Sequence, residues 1–405
     1  MAGALIEKAR REIRGLDPKA MEQAQRRWDS VAKPLKSLGL LEEAVIKIAG
    51  ITGCAESSQI GKKAVTVLCG DNGIVEEGVT QTGQAVTAVV AENLTRGDSC
   101  VCIMARQAGA WVFPVDMGIR RRISSYGEFV SGSDKLAPLG GEGRSQADGG
   151  AGTREQGAGA CRAKARDGKG AAILYPALDR RLMPGTRNFT KAPAMDRETA
   201  IKAVETGICL AGELKKRGYQ ILAAGEMGIG NTTTTSAVLS VLLGSAPRQV
   251  TGRGAGLSTE GLQRKIQVIE EGIRLWQPDP EDGIDVLAKV GGLDLAGLAG
   301  VFLGGALYRL PVIVDGLIAS AAALAAAAIC PAAKACMLAS HVSAEPAGKQ
   351  VLDTLGLRPV IYGDLCLGEG TGAVALFPLL DMAAAVYDEM STFSQIHIEA
   401  YKPLT

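Results

Sequence analysis

The sequence predicts an α/β protein built on a mainly parallel sheet with helices on both faces, and two observations lead there. Short β-branched runs recur along the chain, each ending in a Gly-rich turn with Asp or Glu: "KKAVTVLCGDNGI", "AWVFPVDMGI", "YQILAAGEMGIGNTT", "LPVIVDGLIAS" and "RPVIYGDLCLGEGTG". Helical stretches such as "AVTAVVAENLTRGDSCVCIMARQAG" separate them. Strands alternating with helices imply parallel pairing, because parallel neighbours need a crossover connection. Ligands in such sheets collect beyond the carboxyl ends of the strands, where these acidic glycine turns would lie.

Taken in order, residues 1–60 read as helical. "MAGALIEKARREIRGLD" is amphipathic and lacks the apolar core of a signal peptide, and "LGLLEEAVIKIAGI" carries apolar positions at helical spacing. The strand–helix repeats begin near residue 61. They are interrupted from about 122 to 175 by a Gly-, Ser-, Arg- and Glu-rich segment with little to bury, expected to be a mobile surface insertion. Its role could be regulatory or merely that of a solvated loop. The run "GLIASAAALAAAAICPAA", 316–333, is weakly apolar and contains Pro331, so it reads as a buried helix rather than a membrane span.

Composition narrows the function. Lys plus Arg (44) nearly cancels Asp plus Glu (43), so no strong field is available for nucleic acid or an anionic membrane. Aromatic residues are 4% of the chain, which argues against base-stacking platforms. The nine cysteines show no C-x-x-C pair, and with two histidines a metal cluster or a Ser–His–Asp triad has little material. Reduced cytoplasmic thiols and a small-molecule partner are the expectation.

The chemistry concentrates in a few loops. "GEMGIGNTTTTSA" places Gly225, Gly230 and Thr232 where G-x-x-x-x-G-K-[ST] wants them, but Asn231 holds the lysine position. A Gly turn entering a helix offers amide donors and the helix dipole to a phosphate. Without the lysine that neutralises a triphosphate, the loop suits a monophosphate, or is a plain glycine turn with capping threonines. "VTGRGAGLSTEGLQRK" adds Gly252, Gly254 and Gly256, and Lys265 as a cation. Glu226 in the first loop and Glu369 in "LGEGTGA" are Gly-flanked carboxylates whose burial would raise their pKa and suit them to accept a proton, or are backbone-bonding loop residues. Asp71, Asp294 and Asp315 are further strand-end acids without a distinctive metal spacing. In "SHVSAEPAG", Ser340 and His341 are expected to point apart, leaving Ser343 as a phosphate or ribose contact.

Together with "AKPLKSLGLLEEAVIKIAGI", "GDNGIVEEGVTQTGQAVTA" and "VGGLDLAGLAGVFLGGALYRLPVIVDGLIASAAAL", these loops resemble the nicotinate-nucleotide–dimethylbenzimidazole phosphoribosyltransferase family, from about Ala32 to Phe393. The 122–175 segment has no counterpart, and Asn72 stands where that family often has histidine. The resemblance implies a Rossmann-like sheet in a catalytic domain, 61–375, and a smaller helical domain from 1–60 and 376–405. It also implies a homodimer. The implied reaction moves phosphoribose from nicotinate mononucleotide to dimethylbenzimidazole or a similar base and needs neither metal nor redox cofactor. By the same resemblance Glu369 is the general base and Glu226 the second carboxylate, with Asp294 and Asp315 supporting. Gly228, Ile229, Gly230, Asn231, Thr232, Gly254, Ala255, Lys265 and Ser343 are the phosphate and ribose contacts. Thr80, Gln84 and Leu367 form the acceptor-base pocket. The rivals are a P-loop kinase, which lacks its lysine here, a nucleotide-binding regulatory protein, and a relative that prefers adenine or a phenolic acceptor.

Overall fold

The computed structural model describes residues 3–56, 60–129, 136–138, 165–166 and 172–401. Three helices come first: α1 (Ala4–Glu12), α2 (Pro18–Ser30) and α3 (Leu40–Thr52). Asp17 caps α2 by accepting from the backbone N–H groups of Lys19 and Ala20, and Pro18 occupies the first turn, where its missing N–H costs nothing. Strand β1 (Lys63–Gly70) follows, then α4 (Ala85–Arg96), α5 (Cys100–Gln107) and β2 (Ala110–Gly118). The stretch read as helical comprises two helices, separated where Gly97 turns left-handed (φ 80°) and Ser99 caps α5.

β1 lies between β2 and β8 (Ile221–Met227), parallel to both, and is buried along its whole length. Its side chains alternate as a strand requires: Ala64 and Leu68 join one core, Val65, Val67 and Cys69 the other. The first core is roofed by α6 (Arg197–Lys216), α7 (Asn231–Leu243), α10 (Gly283–Val290), α11 (Leu293–Leu307) and α12 (Leu317–Ile329). The second is covered by α4, α5 and the first half of α14 (Thr371–Glu389). Beyond β8 come β9 (Val312–Val314) and β10 (Met337–Ala339), and on the far side of β2 come β7 (Ala177–Asp179), β3 (Tyr126–Phe129) and β4 (Leu136–Pro138). The order is β10-β9-β8-β1-β2-β7-β3-β4, parallel except for the antiparallel β3–β4 pair. Strands after β1 run to one side and strands from β8 onward to the other, so the topological switch point is between β1 and β8. A separate antiparallel pair joins β5 (Ala165–Arg166) to β6 (Ala172–Ile173), and the short helices α8 (Pro247–Val250) and α13 (Gly348–Leu355) lie between longer ones in the chain.

Both chain ends meet in a third cluster, where Trp28, Val31, Val45 and Ala49 pack on Ala383 and Tyr387 in the second half of α14. Val31 also forms a β-bridge with Thr392. The boundary expected at 375/376 therefore falls inside one continuous helix. α14 is long and apolar enough to cross a membrane, but about half of it is buried inside the fold.

Two expectations are corrected. The run "RPVIY" forms no strand: only Ile361 makes a bridge, to His341, because Pro359 has no N–H to give a ladder and Gly363 follows at once. The edge strand there is instead Met337–Ala339, whose short length gives no alternating pattern to read. The flanks of the expected 122–175 insertion belong to the fold: Ile123, Ser125, Ile173 and Tyr175 are buried, and Phe129 packs on Phe113 with ring centroids 5.8 Å apart. Its Gly- and Arg-rich centre, 139–164, lies outside the described residues.

Helices α6 and α11 cross with their backbones in contact. A Cβ on Gly300 would sit 1.9 Å from the Val204 carbonyl oxygen, and one on Gly207 would sit 1.9 Å from that of Gly297. Gly300→Ala is therefore expected to lose about 1–3 kcal/mol or more in urea unfolding, since the helices must separate. Gly15→Ala, with nothing within 4 Å of its Cβ, should stay within about 0.5 kcal/mol of the parent.

Candidate active site

At the carboxyl edge of β8 and β9, beside the switch point, a cavity of about 470 Å³ opens. Four loops line it. β8 delivers Glu226 and Met227, with Glu226 opposite Leu68 of β1. Gly228 then passes so close to β1 that a Cβ there would lie 2.4 Å from the Gly70 carbonyl oxygen. Gly230, at φ 90°, turns the chain into α7, and Ile229, Asn231 and Thr232 line the cavity. The second glycine loop brings Gly254 and Ala255 against this helix start. Gly254 is left-handed (φ 54°), and its Cβ would meet Thr232 Oγ1 at 2.9 Å.

Lys265, on α9 (Thr259–Trp276), reaches the same place from behind. It is 1% exposed, and its Nζ donates to Thr232 Oγ1 (2.9 Å) and to the Gly252 carbonyl (3.2 Å). Burial pulls its pKa down to about 8, opposed by the charge of Glu345. The two glycine loops, the α7 N-terminus and this cation thus converge, although 33 residues separate Lys265 from Thr232.

The third and fourth loops carry acids. β9 ends at Asp315, whose carboxylate accepts from the backbone N–H groups of Gly370 (3.1 Å) and Ala373 (2.8 Å) and so ties β9 to the start of α14. Glu369 lines the cavity with a left-handed backbone, φ 59°, a conformation a glutamate adopts at a cost. It stands on a loop entering α14 rather than at a strand end. The Val101 backbone N–H lies near enough to its carboxylate to oppose the rise in its pKa, while Oε2 is buried with no partner among the described residues. Asn231 donates to Glu226 Oε2 and, at 3.3 Å, to Asp294 Oδ2, joining two buried carboxyls beneath the floor.

All four acids are raised, and burial is the first cause in each. Glu226 is pushed well above the usual carboxylate range, first by burial and then by the charges of Asp294, Asp315 and Glu369, against the Asn231 hydrogen bond. Burial lifts Asp294 and Asp315 to about 6 each and raises Glu369 as well. Such a cluster prefers to be partly protonated when empty and is matched to a ligand bearing positive charge.

Of the residues singled out from the sequence, Glu226, Gly228, Ile229, Asn231, Thr232, Gly254, Ala255, Asp315, Ser343, Leu367 and Glu369 line the cavity. Gly230, Lys265 and Asp294 stand directly behind it. Leu367 sits 60% exposed. Thr80 and Gln84 are not among the lining residues: the Thr80 hydroxyl donates to the Thr82 carbonyl, and the Gln84 amide to the Asn72 carbonyl. The Ser340–His341 expectation is corrected. The two side chains meet, Oγ to Nδ1 at 3.0 Å, because β10 ends at Ala339 and the strand alternation ends with it. Ser340 is nonetheless fully buried and absent from the lining, so it presents no nucleophile. His341 does line the cavity, a contact the sequence reading passed over.

A family model described as a phosphoribosyltransferase matches residues 13–398. Enzymes named nicotinate-nucleotide–dimethylbenzimidazole phosphoribosyltransferase are similar over nearly the whole chain. The one from Ruminiclostridium cellulolyticum is 40% identical, covering 98% of this chain and 99% of its own. That from Escherichia coli strain SE11 is also 40% identical, over 95% of this chain and 94% of its own. Among solved structures, CobT from Thermus thermophilus superposes with a TM-score of 0.77 at 34% identity, over 95% of this chain and all of that one. Fold, cavity and family match together define a phosphoribosyltransferase. More narrowly, the chain belongs to the nicotinate-nucleotide–dimethylbenzimidazole phosphoribosyltransferase family.

Proposed function

We propose that this chain transfers phosphoribose from nicotinate mononucleotide to 5,6-dimethylbenzimidazole or a related lower-ligand base, giving α-ribazole 5′-phosphate and nicotinate. The observation that carries the reading is the convergence at one cavity of an anion cradle and a cluster of raised carboxyls. The cradle comprises the α7 N-terminus, the 252–256 loop and Lys265; the carboxyls are Glu226, Asp294, Asp315 and Glu369. Family membership supports it throughout.

The chemistry follows from charge. In nicotinate mononucleotide the ring nitrogen bonded to ribose is cationic. As the bond to the anomeric carbon breaks, its electron pair returns to that nitrogen, and nicotinate leaves without needing a proton. The acceptor nitrogen attacks the opposite face of the anomeric carbon and inverts it from β to α. The bound benzimidazole is then cationic until its second nitrogen loses a proton, which Glu369 takes. The acid cluster favours the positive charge that passes from pyridinium to an oxocarbenium-like sugar. Holding phosphate and both rings in line supplies up to about 7–11 kcal/mol of the barrier reduction.

In this reading Gly228, Gly254, Lys265 and Ser343 hold phosphate and ribose, and Leu367 contacts the acceptor. Thr80 and Gln84 join only if the 80–84 segment approaches the cavity on binding. The homodimer and cytoplasmic location belong to the same proposal, the first on the resemblance and the second on the cysteine pattern. Purified protein with nicotinate mononucleotide and, separately, dimethylbenzimidazole, adenine or p-cresol is expected to release nicotinate with an acceptor-dependent α-nucleotide, read by chromatography. Release with adenine or p-cresol only would reassign the acceptor. No release with any of them would leave a nucleotide-binding protein without this activity.

A further inference from the structure

His341 is 3% exposed, lines the cavity and has one ring nitrogen committed. The Ser340 hydroxyl lies 2.7 Å from the Val314 carbonyl oxygen and 3.4 Å from that of Asp315, both of which can only accept; giving its one hydrogen to the nearer carbonyl leaves its oxygen to accept from His341 Nδ1, 3.0 Å away. In that arrangement Nδ1 carries the ring hydrogen. Asp315 Oδ1 lies on the same side: Nδ1 and Oδ1 are 2.0 and 3.0 Å from the point a Gly372 Cβ would occupy. Burial also lowers the His341 pKa, which keeps the ring neutral. Nε2 is left with a bare lone pair and has no hydrogen-bond partner among the described residues.

That lone pair meets a niche made of donors. Gly316, the residue before α12, has no side chain, and its Cβ would sit 3.5 Å from Nε2 and 4.0 Å from Ser343 Oγ. Leu317, Ile318 and Ala319, the uncapped first turn of α12, line the same wall. Ser343 Oγ accepts from the Glu345 N–H, which leaves its own hydrogen to give. One acceptor beside several donors is the complement of a hydroxyl, which donates once and accepts as well. A phosphate or carboxylate brings no hydrogen at neutral pH and would place its lone pairs against that of Nε2.

We infer that His341, held as the Nδ1–H tautomer by Ser340, is a positioning residue that accepts a hydrogen bond from a ribose hydroxyl of the bound nucleotide. This rests on the nucleotide reading above and adds what turns the sugar relative to the acids: a fixed acceptor on the β10 side of the cavity.

The chain has two histidines, and His397 is exposed on the C-terminal segment, so ¹⁵N-histidine spectra can be assigned with a His397→Asn variant. In the free protein His341 should show the hydrogen on Nδ1. Saturating nicotinate mononucleotide should move its Nε2 resonance, whereas inorganic phosphate should not. One of the 2′-deoxy and 3′-deoxy analogues should bind roughly 3- to 10-fold more weakly and leave Nε2 unmoved. Ser340→Ala should populate the other tautomer and raise KM for the nucleotide by a similar factor, with kcat kept. A hydrogen on Nε2 in the free protein, or nucleotide bound by calorimetry with Nε2 unmoved, would overturn the inference alone. Movement with phosphate would overturn it too. Absence of nucleotide binding by calorimetry would fail the proposed function and this inference together.

Discussion

Glu369→Gln is expected to bind nicotinate mononucleotide about as tightly as the parent and to lose about 10²- to 10⁴-fold in kcat. The amide keeps the shape of the carboxylate, but it cannot take the proton that the ribosylated benzimidazole must lose. Nucleotide binding is preserved because the phosphate cradle is assembled from β8, α7 and α9, on other elements. pH separates this role from a structural one. A base works ionised, and burial raises the pKa of Glu369, so the parent's kcat should fall as pH is lowered through a point above the ordinary glutamate range. The Gln variant should lack that limb. Steady-state rates at saturating substrates, with calorimetry for the nucleotide, read both. A kcat equal to the parent's would remove Glu369 from the base role and leave Glu226, the more deeply buried carboxyl, as the candidate.

The geometry explains why some of this could be read from residues alone and some could not. β1, β2, β8 and β9 announce themselves because strands buried on both faces are continuous apolar runs, and each ends in a turn that needs glycine: Gly228 has no room for a side chain, and Gly230 has a positive φ. Lys265 was legible as a cation, but its contact with Thr232 depends on how α9 packs against α7, which no local pattern encodes. Met337–Ala339 is too short to show a period, and "RPVIY" has the composition of a strand but gives the Val360 and Ile361 N–H groups to the single carbonyl of Ser340, so no ladder extends. Thr80 and Gln84 were placed by resemblance, and their side chains here serve the turn that holds them. His341 escaped because the alternation rule was applied across a point where the strand had already ended. Sequence periodicity carries information only inside regular elements, and most of the site is built from residues at their ends or in the turns between them.

Replacing Lys265 by Met should raise KM for nicotinate mononucleotide roughly 10- to 150-fold while leaving kcat at saturation within a few-fold of the parent. A buried charge-assisted hydrogen bond contributes about 1.5–3 kcal/mol, and both ground and transition states hold the phosphate. Methionine keeps the apolar stem, so packing against α7 survives. The parent's pH dependence provides the sharper check. With its pKa lowered to about 8, Lys265 is protonated at neutral pH and neutral by pH 9. Above pH 7 a phosphate monoester is dianionic, its second pKa being about 6. The dianion favours the protonated amine, so the complex titrates at higher pH than the empty site. Between those two values binding takes up a proton, and affinity should fall by up to about tenfold per pH unit. Calorimetry in two buffers of different ionisation enthalpy should show the uptake near pH 8.5 in the parent and none in Lys265→Met. The empty protein gives the complementary sign. Because the folded pKa is below the ordinary 10.5, stability should rise between about pH 8 and 10.5 as the buried ammonium discharges. Affinity that stays flat to pH 9 in the parent would mean that the phosphate is held by backbone amides and the α7 dipole alone, with Lys265 only bracing Thr232.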